Sequence, residues 1–417
     1  MTTYVRTLAM IVFVGLVSFF VSPETEALQR NYVQVTKTTA VYDVVDGKEL
    51  QLGNLNANQQ FILQRMDDKY YYIKFGNNDA YFDKKNGKVI KKTTNFVQVD
   101  SMTTPKDVVI TKAKTPIYDS MGRKKQVLAV LNINMRYPVI GKTKDWYKVN
   151  VGNRIGYISA KAVTEDTGIP VLMYHHMLPN PELTPFDNNS MVIKVSTFQE
   201  QMDYLKANGW RTITLQELDR YLMNEQNLTG KTVAITFDDG NTSTVKYAFP
   251  ILKANNQKAT QFIIGDRVRE QAKPWDEMTF QYVGYKEMRE TSDIYDYQTH
   301  TFGLHLRDSI SKQPYLIMKD YEEILSDTLR GIEHIGAFDG NPSHIQYLAY
   351  PWGQYDQEAV SAIAEAGIRM AFTTNTGNVK LGDDRYALNR QGIAPSHSMD
   401  DFVKKLHGTY KGRNIIE

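Results

Sequence analysis

The sequence predicts an α/β chain in which a (β/α)-barrel-like C-terminal domain follows two small all-β modules. Three observations predict it. Residues 31–165 repeat themselves with a period of 76 residues. From Ile169 onward, short apolar strand patterns alternate with helical ones, which argues for a parallel barrel or a doubly wound sheet. Polar groups suited to chemistry then fall, one after another, just past the ends of the expected strands.

A chain of 417 residues suggests two or three domains. Its net charge of +2 gives no case for a nucleic-acid partner. The 26 tyrosines suit a carbohydrate surface. With no cysteine, there is neither a disulfide framework nor a lipid-anchoring thiol. At the N-terminus, Arg6 precedes a short apolar run from Leu8 to Val21, and the polar stretch Ser22 to Ala27 follows. Residues 1–27 therefore read as a secretory signal peptide or an uncleaved N-terminal anchor. Either reading puts the remainder outside the membrane, secreted or associated with the cell surface or cell wall.

The repeat defines modules at 31–100 and 108–165. Thr39-Ala40-Val41-Tyr42-Asp43 matches Thr115-Pro116-Ile117-Tyr118-Asp119. Leu55, Tyr71, Gly76 and Tyr81 match Leu131, Tyr147, Gly152 and Tyr157 without a net gap, which makes chance a poor explanation. Alternating strands such as Tyr70 to Phe75 and Trp146 to Val151, with Gly and Asn turns, read as two small β-barrels. The copies resemble bacterial SH3-type modules, and that resemblance implies attachment of an exported enzyme to cell wall. Thr164 to Gly168 is the expected hinge into the C-terminal domain, 169–412.

In that domain Pro170 to Tyr174 is an apolar strand ending in His175-His176. Ser196 with Gln199 suggests a capping box, and Phe198, Met202 and Leu205 form the apolar stripe of the helix it would open. Strands are expected at Arg211 to Leu215, Val233 to Phe237, Ala259 to Ile264, Ile294 to Thr299, Ile345 to Tyr350 and Met370 to Thr373. Helices are expected at Gln216 to Leu222, near Val245 to Ala254, within Lys319 to Ile335, and at Glu358 to Ala366.

The Val233–Phe237 run leads straight into Asp238-Asp239-Gly240. Taken alone, Asp-Asp-Gly is a turn after a strand. Two adjacent carboxylates at the mouth of a buried strand are costly unless their roles divide, with a metal on one and a proton task for the other. His300 and His305, five residues apart, would lie ~140° apart on a straight helix, so a strand end and a loop must bring them together. Two His and one Asp make a three-ligand set for zinc with a position left for water.

Thr236-Phe237-Asp238-Asp239-Gly240, Ala259-Thr260-Gln261-Phe262, the His300/His305 pair and Tyr350-Pro351-Trp352-Gly353 resemble the motifs of the polysaccharide deacetylase family, also called NodB homology or carbohydrate esterase 4. The five-residue His spacing and Val171-Leu172-Met173-Tyr174-His175 resemble the subgroup that deacetylates poly-N-acetylglucosamine. The resemblance implies that Asp239, His300 and His305 hold a divalent metal, most simply zinc. It makes Asp238 the general base and His175 the general acid. Tyr350, Pro351, Trp352 and Gly353 would form part of the sugar groove, with Trp352 as its wall. Two departures stand out. The family's Arg two residues before the Pro is Ala349 here, and Arg390 could substitute for it. The common family order takes its acid from a late His, for which His397 is the rival to His175.

The expected function is therefore an exported metal-dependent N-deacetylase of N-acetylglucosamine residues in peptidoglycan or poly-N-acetylglucosamine, held to cell wall by the SH3-like modules. The alternatives are a catalytically inactive polysaccharide-binding surface protein and an O-acetyl esterase. The intact Asp-Asp pair and both His speak against the inactive binder.

Overall fold

The computed structural model describes residues 31–45, 47–91, 96–100, 105 and 107–412. The expected signal or anchor at 1–27 lies outside the described residues.

The repeat is visible in three dimensions. Leu55 and Leu131 are fully buried, Tyr71 and Tyr147 nearly so, and Gly76 and Gly152 both take a left-handed φ, +70° and +59°. The expectation of two separate barrels is corrected, because the copies are fused. Strand Lys48–Leu55 of the first pairs antiparallel with Val127–Leu131 of the second within one ten-stranded sheet. Asn54 pairs with its own repeat equivalent, Val130, and Phe75 with its own equivalent, Val151. Equivalent strands meeting in this way are related by a local two-fold, as in an isologous dimer. Gly53 permits the approach, since a Cβ there would stand 2.1 Å from the Val130 carbonyl oxygen. One apolar core, including Val33, Leu55, Phe61, Ile117, Leu131 and Tyr137, serves both copies. Modules this small bury too little surface alone, and fusion supplies the missing core.

The C-terminal domain is built on eight parallel strands: β1 (Val171–Tyr174), β2 (Arg211–Ile213), β3 (Thr232–Phe237), β4 (Ala259–Ile263), β5 (Tyr295–Thr299), β6 (Tyr347–Ala349), β7 (Met370–Thr376) and β8 (Leu388–Gly392). Because β1 pairs with both β3 and β8, seven of them close into a barrel. Strand β2 stays outside the ring and pairs only with the first half of β3, from Arg211↔Thr232 to Ile213↔Ala234. The helices are α1 (Val195–Ala207), α2 (Leu215–Leu222), α3 (Phe249–Asn255), α4 (Tyr285–Thr291), α5 (Tyr321–Gly336), α6 (Gln357–Glu365) and α7 (Met399–Leu406).

Helix α1 buries Phe198, Met202 and Leu205 as its period requires, but the capping box at Ser196 is not formed. Lys194 is the N-cap, and Ser196 already lies inside the first turn. A complete box stands instead on α2, between Thr214 and Glu217. The helix expected near Val245 begins as a wide i→i+5 turn over Thr244–Ala248 and becomes α-helical only from Phe249. Pro250 lies there, and it has no N–H to carry the ladder back into the preceding turn.

Thr164 to Gly168 is not a free hinge. Val163–Glu165 pairs with Asp107–Thr111 as a strand. Asp166 is gripped by the buried Arg136, with Nε–Oδ2 2.6 Å and Nη2–Oδ1 3.1 Å. The same guanidinium donates to the carbonyls of Thr229 at 3.0 Å and Gly230 at 3.3 Å, in the loop that leads into β3. Asn227 of that loop donates its side-chain amide to Asp43 at 2.9 Å and accepts from the Asn77 N–H at 3.0 Å. Both repeats thus hold the segment that feeds the central barrel strand. Removing Arg136 would strand Asp166 and two carbonyls in the interior. Arg136→Ala should cost about 3–5 kcal/mol in denaturant unfolding. A loss under about 1 kcal/mol would show the two parts to be only loosely joined.

Candidate active site

The chemistry-bearing groups gather at the C-terminal ends of the barrel strands. His175 follows β1, Asp238 and Asp239 follow β3, His300 follows β5, Trp352 follows β6, and Arg390 lies within β8. Asp239, Thr301 and Trp352 take left-handed φ values of 71°, 68° and 54°. Strained backbone of this kind clusters where a side chain must be re-aimed.

At Asp239 that turn separates the adjacent carboxylates. Asp238 continues inward and is buried. It receives both ends of the Arg390 guanidinium, Nη1–Oδ1 and Nη2–Oδ2 each at 2.7 Å. Arg390 is fully buried and is itself fixed by donating Nε to the Thr373 carbonyl at 2.9 Å. Burial alone would raise the Asp238 pKa, but the guanidinium outweighs it and holds the carboxyl well below the usual carboxylate range. Asp239 turns the other way. Its Oδ1 lies 3.7 Å from His300 Nε2 and 3.5 Å from His305 Nε2.

The five-residue spacing of the two His is closed by the loop between them. Thr301 supplies the left-handed turn, and the N–H groups of Phe302 and Gly303 donate to the two oxygens of Asp327 on α5, at 2.8 and 2.7 Å. His300 Nδ1 stands 2.6 Å from the Ala349 carbonyl oxygen. Donation there fixes the tautomer and leaves the Nε2 lone pair facing Asp239. Asp239, His300 and His305 offer ligand atoms that all lie within 4.8 Å of one another. Tetrahedral zinc with bonds near 2.05 Å sets its ligand atoms about 3.3 Å apart, so the set fits such an ion with a small contraction. Burial first, and then His305 in the case of His300 and Arg267 in the case of His305, lower both imidazoles to about 4, so both stand neutral as ligands at pH 7.

His175 Nε2 lies 3.9 Å from Asp238 Oδ2. Burial lowers its pKa, and the charges of Asp238 and Asp239 act against that. These groups line a cavity of about 240 Å3 together with His176, Asn189, Asn241, Phe280 and Trp352. Two other cavities, of about 250 and 660 Å3, lie between the β repeats and the barrel and share no residue with it.

Of the Tyr350–Gly353 turn, Trp352 alone lines the cavity, with its ring centroid 4.5 Å from that of His305. Tyr350 is buried in the core, stacked on Tyr355 at 4.7 Å, and its hydroxyl donates to the Tyr386 carbonyl. Pro351 is buried. Gly353 is needed for packing, since a Cβ would stand 2.2 Å from Thr374 Oγ1. His397 does not line the cavity. Its Nδ1 accepts from the Ala394 N–H at 3.0 Å, and its Nε2 lies 3.2 Å from the Tyr410 hydroxyl. Sequence reasoning missed Asp327, which carries no motif of its own. The ring of His176 also reaches the cavity wall, with Nδ1 2.8 Å from Ser243 Oγ.

Residues 225–371 match the polysaccharide deacetylase family model. YxkH of Bacillus subtilis (strain 168), named as a candidate polysaccharide deacetylase, is 29% identical over 237 residues, 56% of this chain and 74% of that protein. A poly-beta-1,6-N-acetyl-D-glucosamine N-deacetylase of Staphylococcus aureus (strain N315) is 24% identical over 301 residues, 70% of this chain and 99% of its own length. The solved structure of IcaB from Ammonifex degensii is 28% identical with a TM-score of 0.49, covering 59% of this chain and 98% of that one.

Proposed function

We propose that this protein is a metal-dependent N-deacetylase of an N-acetylglucosamine polymer, poly-N-acetylglucosamine or peptidoglycan, acting outside the cell membrane. The observation that carries the proposal is the division of the Asp-Asp pair, with Asp238 bidentate on a buried Arg390 and Asp239 facing two imidazoles. The relatives named as polysaccharide deacetylases support the class of substrate.

Asp239, His300 and His305 would hold the ion, most simply zinc. A divalent ion there supplies Lewis-acid polarisation of the acetyl carbonyl and a lowered water pKa. Asp238, kept ionised and oriented by Arg390, accepts the proton of the attacking water. His175 protonates the leaving amine, and its 3.9 Å separation from Asp238 keeps the two proton tasks side by side. Trp352, packed on His305, forms one wall of the sugar cleft. The fused β repeats would hold the enzyme to cell wall, a reading supported by the signal-like N-terminus.

Because the two imidazoles are lowered to about 4, protons compete with the metal only as pH falls toward that value. Zinc should stay bound at pH 5.5, where ordinary imidazoles are already mostly protonated. Loss of metal above pH 6 on dialysis would contradict the site. The function itself is tested by acetate release from peptidoglycan, poly-N-acetylglucosamine and chitin oligomers. Release from at least one of them, with equal free amine formed, is expected. Release only from an O-acetylated polymer would contradict it.

A further inference from the structure

The cavity has an aromatic flank that none of these roles uses. Phe280 lines it and is 43% exposed, although it sits on a rigid backbone. The Val283 N–H donates to the Gly240 carbonyl at 3.0 Å, the Thr242 N–H donates to the Gln281 carbonyl at 2.8 Å, and Asn241 pairs antiparallel with Tyr282. The segment just after Phe280 is therefore stitched to the very turn that carries Asp238 and Asp239. From the other side, the Asp276 N–H donates to Gln281 Oε1 at 2.9 Å and closes the loop. The Phe280 ring rests on Phe186, with centroids 4.5 Å apart, and on His176 at 5.2 Å. Trp352 is the aromatic on the His305 side, so the cavity carries a ring on each of two different walls.

A lone exposed aromatic is ordinary on a protein surface. This one is different in being backed by buried rings, tied to the catalytic turn, and turned to a cleft. We propose that Phe280 is a stacking platform for a pyranose ring of the substrate and fixes the sugar while the groups beyond it act on the acetamide. The proposal rests on the deacetylase reading. The apolar C–H face of a pyranose covers an aromatic face, removing apolar surface from water on both sides. Such a contact is made equally in the bound substrate and in the transition state, so it acts on binding and not on turnover.

The test is steady-state deacetylation of an N-acetylglucosamine tetramer by the wild-type protein, Phe280→Ala, Phe280→Leu and Phe280→Trp. Loss of the ring in the Ala and Leu variants should raise KM roughly tenfold with kcat within about twofold, as expected for loss of uniform binding. Phe280→Trp should restore KM. An unchanged KM in Phe280→Ala, a Phe280→Leu protein that behaves as wild type, or a fall in kcat with KM unchanged would each overturn the assignment. If the wild-type protein releases no acetate, the deacetylase reading fails by itself. Calorimetric titration with the same tetramer then decides Phe280: weaker binding by Phe280→Ala supports the platform, and equal binding overturns it.

Discussion

Replacing His175 by alanine is expected to lower turnover on the order of 10²–10⁴-fold, while KM and bound metal stay close to wild type. The reason is geometric. His175 is in the cavity beside Asp238, yet it is not among the three groups that face one another around Asp239. A general acid acts only in the transition state, so its removal leaves ground-state binding alone. His397→Ala is the control. His397 is occupied by the Ala394 N–H and the Tyr410 hydroxyl, and its loss should leave kcat unchanged. A crippled His397→Ala together with a normal His175→Ala would reverse the assignment.

Replacing Arg390 by alanine should cost stability on the same scale as Arg136→Ala and, in addition, activity. Arg390 and Asp238 are both buried, and the guanidinium holds both carboxylate oxygens. Without the guanidinium, Asp238 is an uncompensated charge in the barrel interior, a loss on the order of 3–5 kcal/mol near neutral pH. The pH dependence has a definite sign. In the wild type the depressed Asp238 pKa gives stability that is present above the unfolded pKa of ~3.9 and is lost as pH falls through the folded value. In Arg390→Ala burial dominates and the Asp238 pKa is raised, so the protein gains relative stability as Asp238 protonates. The deficit against wild type, measured by urea unfolding, should therefore narrow from pH 7 toward pH 4. A deficit that does not change with pH would mean that Arg390 acts through packing alone. Activity should fall with stability, because the base loses both its orientation and its ionisation.

How much of this was readable from the chain differs by element. Strands β3 and β6 were legible because each is a short apolar run, and the groups that follow them are rare, specific residue types. Arg390 could be singled out only because the place where an arginine was expected holds Ala349, whose carbonyl instead orients His300. The fusion of the two repeats was not legible. Period and register show that a unit recurs, but nothing in the pattern says that Asn54 will face Val130 across a shared sheet. The hinge was misread for a related reason. Asp166-Thr167-Gly168 is loop-like in composition, and only the fold brings Arg136 onto it. Ser196 looked like a cap because its neighbour spacing is right, yet α1 starts one residue earlier at Val195. Tyr350 shared a motif with Trp352 and was grouped with it. The left-handed φ of Trp352 sends the two rings to different places, one into the core and one onto the cavity.

The measurement that tests the central claim most directly is a zinc titration of the metal-stripped protein, followed by acetate release from an N-acetylglucosamine polymer. The site of Asp239, His300 and His305 should give activity that rises linearly to one equivalent of zinc and then stays flat, with no rise at all in Asp239→Ala. Acetate release that persists in the stripped protein, or that zinc restores equally in Asp239→Ala, would contradict it.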